Sequence, residues 1–145
     1  MLEGNLRVYV SPTQDGILPI DSVHGWMVVR RRRVAKGLAI LRESSRTQQR
    51  LGLHSWLPLT FSWLAEGLLL SARANDARAA AEDGLQVVRR TGVRCWDPEL
   101  YRLRGEAMIA PKRSAGRTNN VKRNGDAAEA SFWAAISVYG LVNRA

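Results

Sequence analysis

The chain has little of what most enzymes and secreted proteins require. Its 145 residues hold one cysteine, Cys95, so no internal disulfide forms and a reducing compartment is indicated. Histidine is nearly as scarce. His24 and His54 are 30 residues apart with no carboxylate partner at useful spacing. A metal centre takes three or four ligands, mostly in short-spaced pairs, and none can be assembled here. No Ser–His–Asp arrangement can be argued from the spacing either. Long apolar runs are also missing. The longest, Trp56–Leu70, is interrupted by Glu66 and falls short of the ~20 residues that span a bilayer. The N-terminus, MLEGNLRVYV, carries Glu3 and does not read as a secretory signal. The expectation is a soluble cytoplasmic protein, not an enzyme, with no cofactor, no metal and no membrane association.

Acidic residues are in short supply, 13 against 22 Lys and Arg, which leaves a formal charge of +9 and a pI near 11.0. A balance of this kind is one footprint of nucleic-acid binding. The competing reading is arginine spread over solvated helix faces, since net charge alone says little about a partner. The apolar fraction of 46% is that of a globular chain able to bury a core.

What the chain does have is a period. Pro58 and Pro98, Phe61 and Tyr101, Glu66 and Glu106, Gly52 and Gly92, and Trp56 and Trp96 are each 40 residues apart. Gly25, Ala65 and Gly105 fall on the same 40-residue step twice over. Fixed periods of about 20 to 50 residues mark stacked arrays. The element organising the chain is 61–92, an apolar helix, a short break and a second helix.

Residues 1–19 fall outside the repeat. LRVYV alternates like a short strand and SPTQDG is a turn cluster. A lone strand has no partner, so an irregular, loosely docked N-terminal arm is expected. The repeat domain is then 20–145, with units at about 21–52, 57–92 and 97–145. In unit one Asp21 is a candidate N-cap, the Arg30–Arg33 run sits at the turn between helices, and Gly52 stops the second helix. Cations near a helix C-terminus are favoured by its partial negative charge. In unit two Pro58 occupies the first turn, where a missing N–H costs little. Phe61, Leu64, Ala65 and Leu68 share one face, and Asn75 or Asp76 can cap the next helix. Unit three opens with Asp97 as N-cap and Pro98 after it. Its hairpin is split by 110–125, rich in Gly, Asn, Ser and basic residues, which reads as an inserted exposed loop. The last helix is expected over 126–142. Trp26, Trp63 and Trp133 fall inside helices, and such a stripe is ordinarily core. Cys95 follows Arg94, which can activate a thiol, but a buried or half-buried spectator is the simpler reading.

The set Phe61, Leu64, Ala65, Leu68, then Ala77, Ala81 and Gly84, resembles the spaced small and large residues of a tetratricopeptide unit. Tyr101, Gly105 and Met108, then Ala128, Phe132 and Ala135, repeat it with 11 extra residues between the helices. Gly25, Val28, Gly37 and Leu41 fit in unit one, whereas Asp21 and His24 stand where the pattern is apolar. A narrower resemblance lies in GWMVV, KGLAILRES, LPLTFSWLAEGLL, RTGVRCWDPELYRLRGEAM and AEASFWAAI. These are similar to the C-terminal helical repeats of bacterial ATPase-linked adenylate or guanylate cyclases and related transcriptional regulators, over about 22–145. No GxxxxGK[ST] phosphate loop accompanies them. The resemblance implies an all-α, right-handed superhelical solenoid of about three helix-turn-helix hairpins, serving as a regulatory protein-binding scaffold in signal transduction.

In such an array the first helices of the units line the concave face. The residues expected there are Ser62, Trp63, Glu66, Arg102 and Glu106, facing a protein or peptide. An alternative is a nucleic-acid binder using Arg30–Arg33 and the Lys112–Lys122 loop, although base-stacking aromatics are absent from both. A third reading is a truncated remnant of a cyclase-like regulator with no activity of its own.

Overall fold

Turn chemistry divides the chain into short helices. The computed structural model describes residues 8–10, 17–110 and 121–142. Two three-residue strands, β1 (Val8–Val10) and β2 (Ile17–Pro19), come first. Among the described residues six helices follow: α1 (Ile20–Arg30), α2 (Val34–Arg50), α3 (Leu57–Leu70), α4 (Ala74–Thr91), α5 (Asp97–Ile109) and α6 (Val121–Val142). The described residues are all-α apart from the small ribbon. There β1 and β2 pair antiparallel, Val8 opposite Pro19 and Val10 opposite Ile17. The strand in LRVYV therefore does have a partner, contrary to the sequence expectation. Pro19 cannot donate to a ladder and is tolerated because a two-stranded ribbon is all edge. The rest of the expected arm, 1–7 and 11–16, lies outside the described residues.

The backbone repeats the 40-residue step of the sequence. Arg32 and Ala72, 40 apart, both turn through left-handed φ, at 63° and 57°. Each tight turn is closed by a pair of backbone bonds: Arg32 N to Val29 O and Arg33 N to Val28 O in the first, Ala72 N to Leu69 O and Arg73 N to Leu68 O in the second. Gly52 and Gly92 take φ of 70° and 74° at the ends of α2 and α4, where a side chain would be strained. Trp56 and Trp96 precede α3 and α5 with nearly equal angles, φ −101° and −103°.

Consecutive helices pack against one another: α1 on α2, α3 on α4 and α5 on α6 within hairpins, α2 on α3 and α4 on α5 between them. The core runs through these contacts, with Leu41, Leu57, Leu85, Leu100 and Leu103 almost wholly buried. Each such side chain stabilises the fold by ~1.5–3 kcal/mol relative to exposure. Small residues set the hairpin spacing. A Cβ on Gly25 would lie 2.9 Å from Leu41 Cγ, and one on Gly105 would lie 2.8 Å from the Phe132 ring. Ala65 and Ala81 are the same pair of positions in the middle hairpin, and both are fully buried. The Gly–Leu, Ala–Ala and Gly–Phe pairs therefore divide one space differently.

Four helix starts differ from expectation. α1 begins at Ile20, so Asp21 lies inside its first turn and is not its N-cap. α4 begins at Ala74 behind Arg73, with no side-chain cap. Asp76 instead accepts from Arg73 at 2.7 Å, because the turn at Ala72 already fixes where the helix starts. α5 begins at Asp97 behind Trp96, again uncapped, and Asp97 accepts from Arg94 Nε at 3.1 Å. α6 begins at Val121, so the expected loop over 110–125 is helical in its last five residues. Residues 111–120 of that loop lie outside the described residues.

Candidate functional site

The helices that open the hairpins adjoin one another: α1 meets α3 and α3 meets α5. On their shared face, residues one period apart become neighbours. Trp26 and Glu66 are 40 apart in sequence, and the Trp26 indole Nε1–H donates to Glu66 Oε2 at 3.1 Å. Arg30, one turn further along α1, donates to Glu66 Oε1 at 3.2 Å and lies 5.8 Å from the centre of the Trp26 ring. The Trp26 and Trp63 rings stack at 5.5 Å with planes 25° apart. An offset aromatic pair of this kind contributes ~0.5–1.5 kcal/mol beyond its buried area. Both rings are half-buried.

On α5 the arrangement is electrostatic. Arg102 lies between Glu99 and Glu106. Its Nε donates to Glu99 at 2.8 Å, and Nη1 donates to Glu106 one turn on. The hydrogen bond to Glu99 does most to hold the guanidinium above its ordinary pKa, and burial opposes the shift. Pairs at this spacing on a solvated helix contribute ~0.2–0.5 kcal/mol each, so they fix the orientation of Arg102 more than they stabilise the fold.

Of the five residues read from the sequence, Trp63 and Glu66 belong to one constellation, and Arg102 and Glu106 to a second along the same face. Ser62 does not belong with them. It is buried, and its Oγ–H donates to Leu59 O at 2.7 Å, so it has nothing to offer a partner. Trp26 was missed, although the register signals it, since Trp26 stands where Glu66 and Glu106 stand in the later units; Arg30, read from the sequence only as part of the Arg30–Arg33 run, joins this face.

A second polar group was also missed. Ser22, Ser44, Gln48 and Thr60 meet between α1, α2 and α3, all buried. Gln48 Nε2 donates to the Ser22 and Thr60 hydroxyls, both at 2.9 Å, and Ser22 and Ser44 are 2.6 Å apart. Gln48 Oε1 has no partner. The signal lay in the period. At the next seam the equivalents of Ser44, Gln48 and Thr60 are Gly84, Val88 and Leu100, and Leu100 comes within 2.7 Å of a Cβ built on Gly84.

The corner between α4 and α5 holds no reactive thiol. Cys95 is exposed rather than half-buried, because the chain turns outward there. Partial desolvation, with the charge of Asp97 adding, nevertheless pushes its thiol pKa up. Arg94, the residue that could have lowered it, is engaged with Asp97. Trp56 and Trp96 pack beside this corner, ring centres 6.3 Å apart. Trp133 does not join a core stripe and is exposed on α6.

Among the described residues no group of three His, Cys, Asp or Glu side chains could hold a metal ion, and no helix is long and apolar enough to cross a membrane. The arrangement can stack, hydrogen-bond and pair charges. Compared with known proteins, the chain matches no family model, no curated protein and no solved structure.

Proposed function

We propose that the chain is a non-catalytic scaffold that binds a protein or peptide along α1, α3 and α5. The observation that carries this reading is the stacked Trp26–Trp63 pair rimmed by Glu66 and Arg30, a half-exposed aromatic and charged surface spanning two helices. Aromatic residues and arginine are the side chains that most often anchor interfaces. The helix order supports it. The opening helices of the hairpins touch, whereas α2 and α4 do not pack on each other to the same degree, so the row bends toward this face. With the 40-residue recurrence of turns and caps, this favours a tetratricopeptide-like, right-handed solenoid of three hairpins. Its link to cyclase or ATPase signalling rests on the resemblance of strings such as ELYRLRGE.

Screening a displayed peptide library against the protein tests the reading. For a selected peptide, Glu66→Ala and Arg102→Ala are expected to weaken binding about tenfold each, roughly 1.4 kcal/mol. Arg78→Ala, exposed on α4, should leave it unchanged. No peptide selected, or equal losses in all three variants, removes the groove from consideration.

A nucleic-acid reading has one observation in its favour. Arg31, Arg32, Arg33 and Lys36 are exposed and make no ion pair among the described residues. In its expected second element, Lys112–Lys122, residues 112–120 lie outside the described residues and 121–122 open α6. Binding to random-sequence duplex DNA, titrated with salt, separates the two. A phosphate-binding surface of four cations gives a log–log slope near −3.6, about −0.9 per contact. The scaffold reading predicts no measurable binding at physiological salt.

A further inference from the structure

Within the chain, each hairpin's second helix receives the first helix of the next hairpin, and the receiving positions recur. On α4, Glu82 takes the Arg104 guanidinium of α5 at 3.0 Å, Gly84 receives Leu100, and Leu85 beside them is 1% exposed. On α2, Gln48 receives Thr60 of α3, Leu38 reaches to 2.8 Å from a Cβ on Gly67 of α3, and Ser45, one period before Leu85, is buried.

The Gly105–Phe132 contact sets α6 in the same register, with Phe132 standing where Leu41 and Ala81 stand. Trp133 then holds the place of Glu82, and Ile136 that of Leu85 and Ser45. Both are exposed, Trp133 by 61% and Ile136 by 58%. A position buried in two hairpins is thus open in the third and carries a large apolar side chain.

The other half of the seam is found on α1. Ile20 holds the place of Thr60 and Leu100, His24 that of Arg104, and Met27 that of Gly67 and Ala107. Residues 20, 24 and 27 share one helical face. Ile20 is 39% exposed and Met27 45%, and His24 is exposed too. Among the described residues the molecule therefore presents the donor half of its own seam at one end, with β1 touching α1 beside it, and the receiving half at the other, each carrying exposed apolar side chains.

We propose that a second copy of this chain docks its α1 onto α6, head to tail, continuing the seam that joins α2 to α3 and α4 to α5. A contact of this heterologous kind leaves a free α1 and a free α6 at the two ends, so it does not close at two copies. One helix-on-helix seam is small beside the ~1,200–2,000 Å² of a stable interface, so the association is weak and shows at high concentration.

Sedimentation velocity over about 5 to 500 μM, near the weak end of specific association, tests this with two variants at exposed positions. Met27→Glu spoils the α1 face and Ile136→Glu the α6 face, and unchanged circular dichroism confirms that both are folded. Wild-type protein is expected to grow past two copies as concentration rises. Each variant alone should stay monomeric. Mixed in equal amounts, they should give a dimer and stop there, because only one intact α1 and one intact α6 remain per pair. Wild-type protein that is monomeric throughout overturns the proposal. So does pairing by Met27→Glu alone, which means α6 on α6, or by Ile136→Glu alone, which means α1 on α1.

Discussion

Gly37→Leu is expected to undock α1 from α2 and lower the melting midpoint by more than 10 °C. A Cβ at this position would lie 2.5 Å from Val29 Cγ2, 2.7 Å from Gly25 O and 2.7 Å from Val29 N. Two of those atoms are backbone in a packed helix and cannot rotate away. Replacing a mid-helix glycine recovers about 1 kcal/mol of helix propensity, whereas overpacking of this kind costs ~1–3 kcal/mol or more. Here even the first carbon is too close, so the steric cost wins and rises with each further carbon. At roughly 4 °C per kcal/mol for a chain of this size, the loss is plain in a thermal melt followed by circular dichroism. Ala39→Leu, two residues along at an exposed site on the same helix, is the control and should move the midpoint by no more than about 2 °C. If the two variants melt alike, α1 and α2 do not approach each other at Gly37.

The second large effect runs the other way. The quadruple variant Ser22→Ala, Ser44→Gly, Gln48→Val, Thr60→Leu writes an apolar seam like the second into the first and should raise the midpoint by several degrees. It removes the unpartnered Gln48 Oε1, a buried acceptor whose desolvation costs ~1–3 kcal/mol, and it supplies the leucine-into-glycine contact that Leu100 and Gly84 make. The glycine placed at 44 costs up to about 1 kcal/mol of helix propensity relative to alanine, so the net gain is about 1–3 kcal/mol. Ser22 is changed with them, because Ser44, Gln48 and Thr60 are its hydrogen-bond partners and losing all three would strand a buried hydroxyl. The single change Thr60→Leu should destabilise, because it drives a larger side chain against Ser44 and strips Gln48 of a partner. Residues in one network are coupled, and their effects do not add. A quadruple variant that melts below wild type shows that the two seams are not equivalent.

Much of this architecture is legible before any coordinates. Pro58, Pro98, Gly52 and Gly92 act through backbone rules that hold wherever the residue stands, so the helix boundaries they mark are read directly. The left-handed turns at Arg32 and Ala72 were not legible, since neither residue prefers that region. The tight turn is imposed by the hairpin packing on both sides. Asp76 and Asp97 mislead for a related reason. Each is a good capping residue, but arginine three positions earlier competes for the carboxylate and wins in both places. Val121–Gly125 is helical despite Asn124 and Gly125, because extending a formed helix costs far less than starting one. In the candidate site, Glu66 follows from the period and Trp63 from its place on the same helix. The exclusion of Ser62 depends on which way its helix is rotated, and a face read one residue too wide takes in a buried neighbour.

The contrast between the two seams also governs how the molecule comes apart. In a row of stacked units each hairpin is coupled only to its neighbours, so the weakest junction bounds the cooperative unit. The junction built on Ser44, Gln48 and Thr60 holds an unpartnered acceptor among four buried polar side chains, and at the one built on Gly84, Val88 and Leu100 leucine packs on glycine with the Arg104–Glu82 ion pair beside it. The hairpin α1–α2 is therefore expected to be the first to open and the last to close, while α3 to α6 persist as one block. Half of the Trp26–Trp63–Glu66 constellation rides on the opening piece. Local melting of a single hairpin dismantles that surface and leaves most of the protein folded.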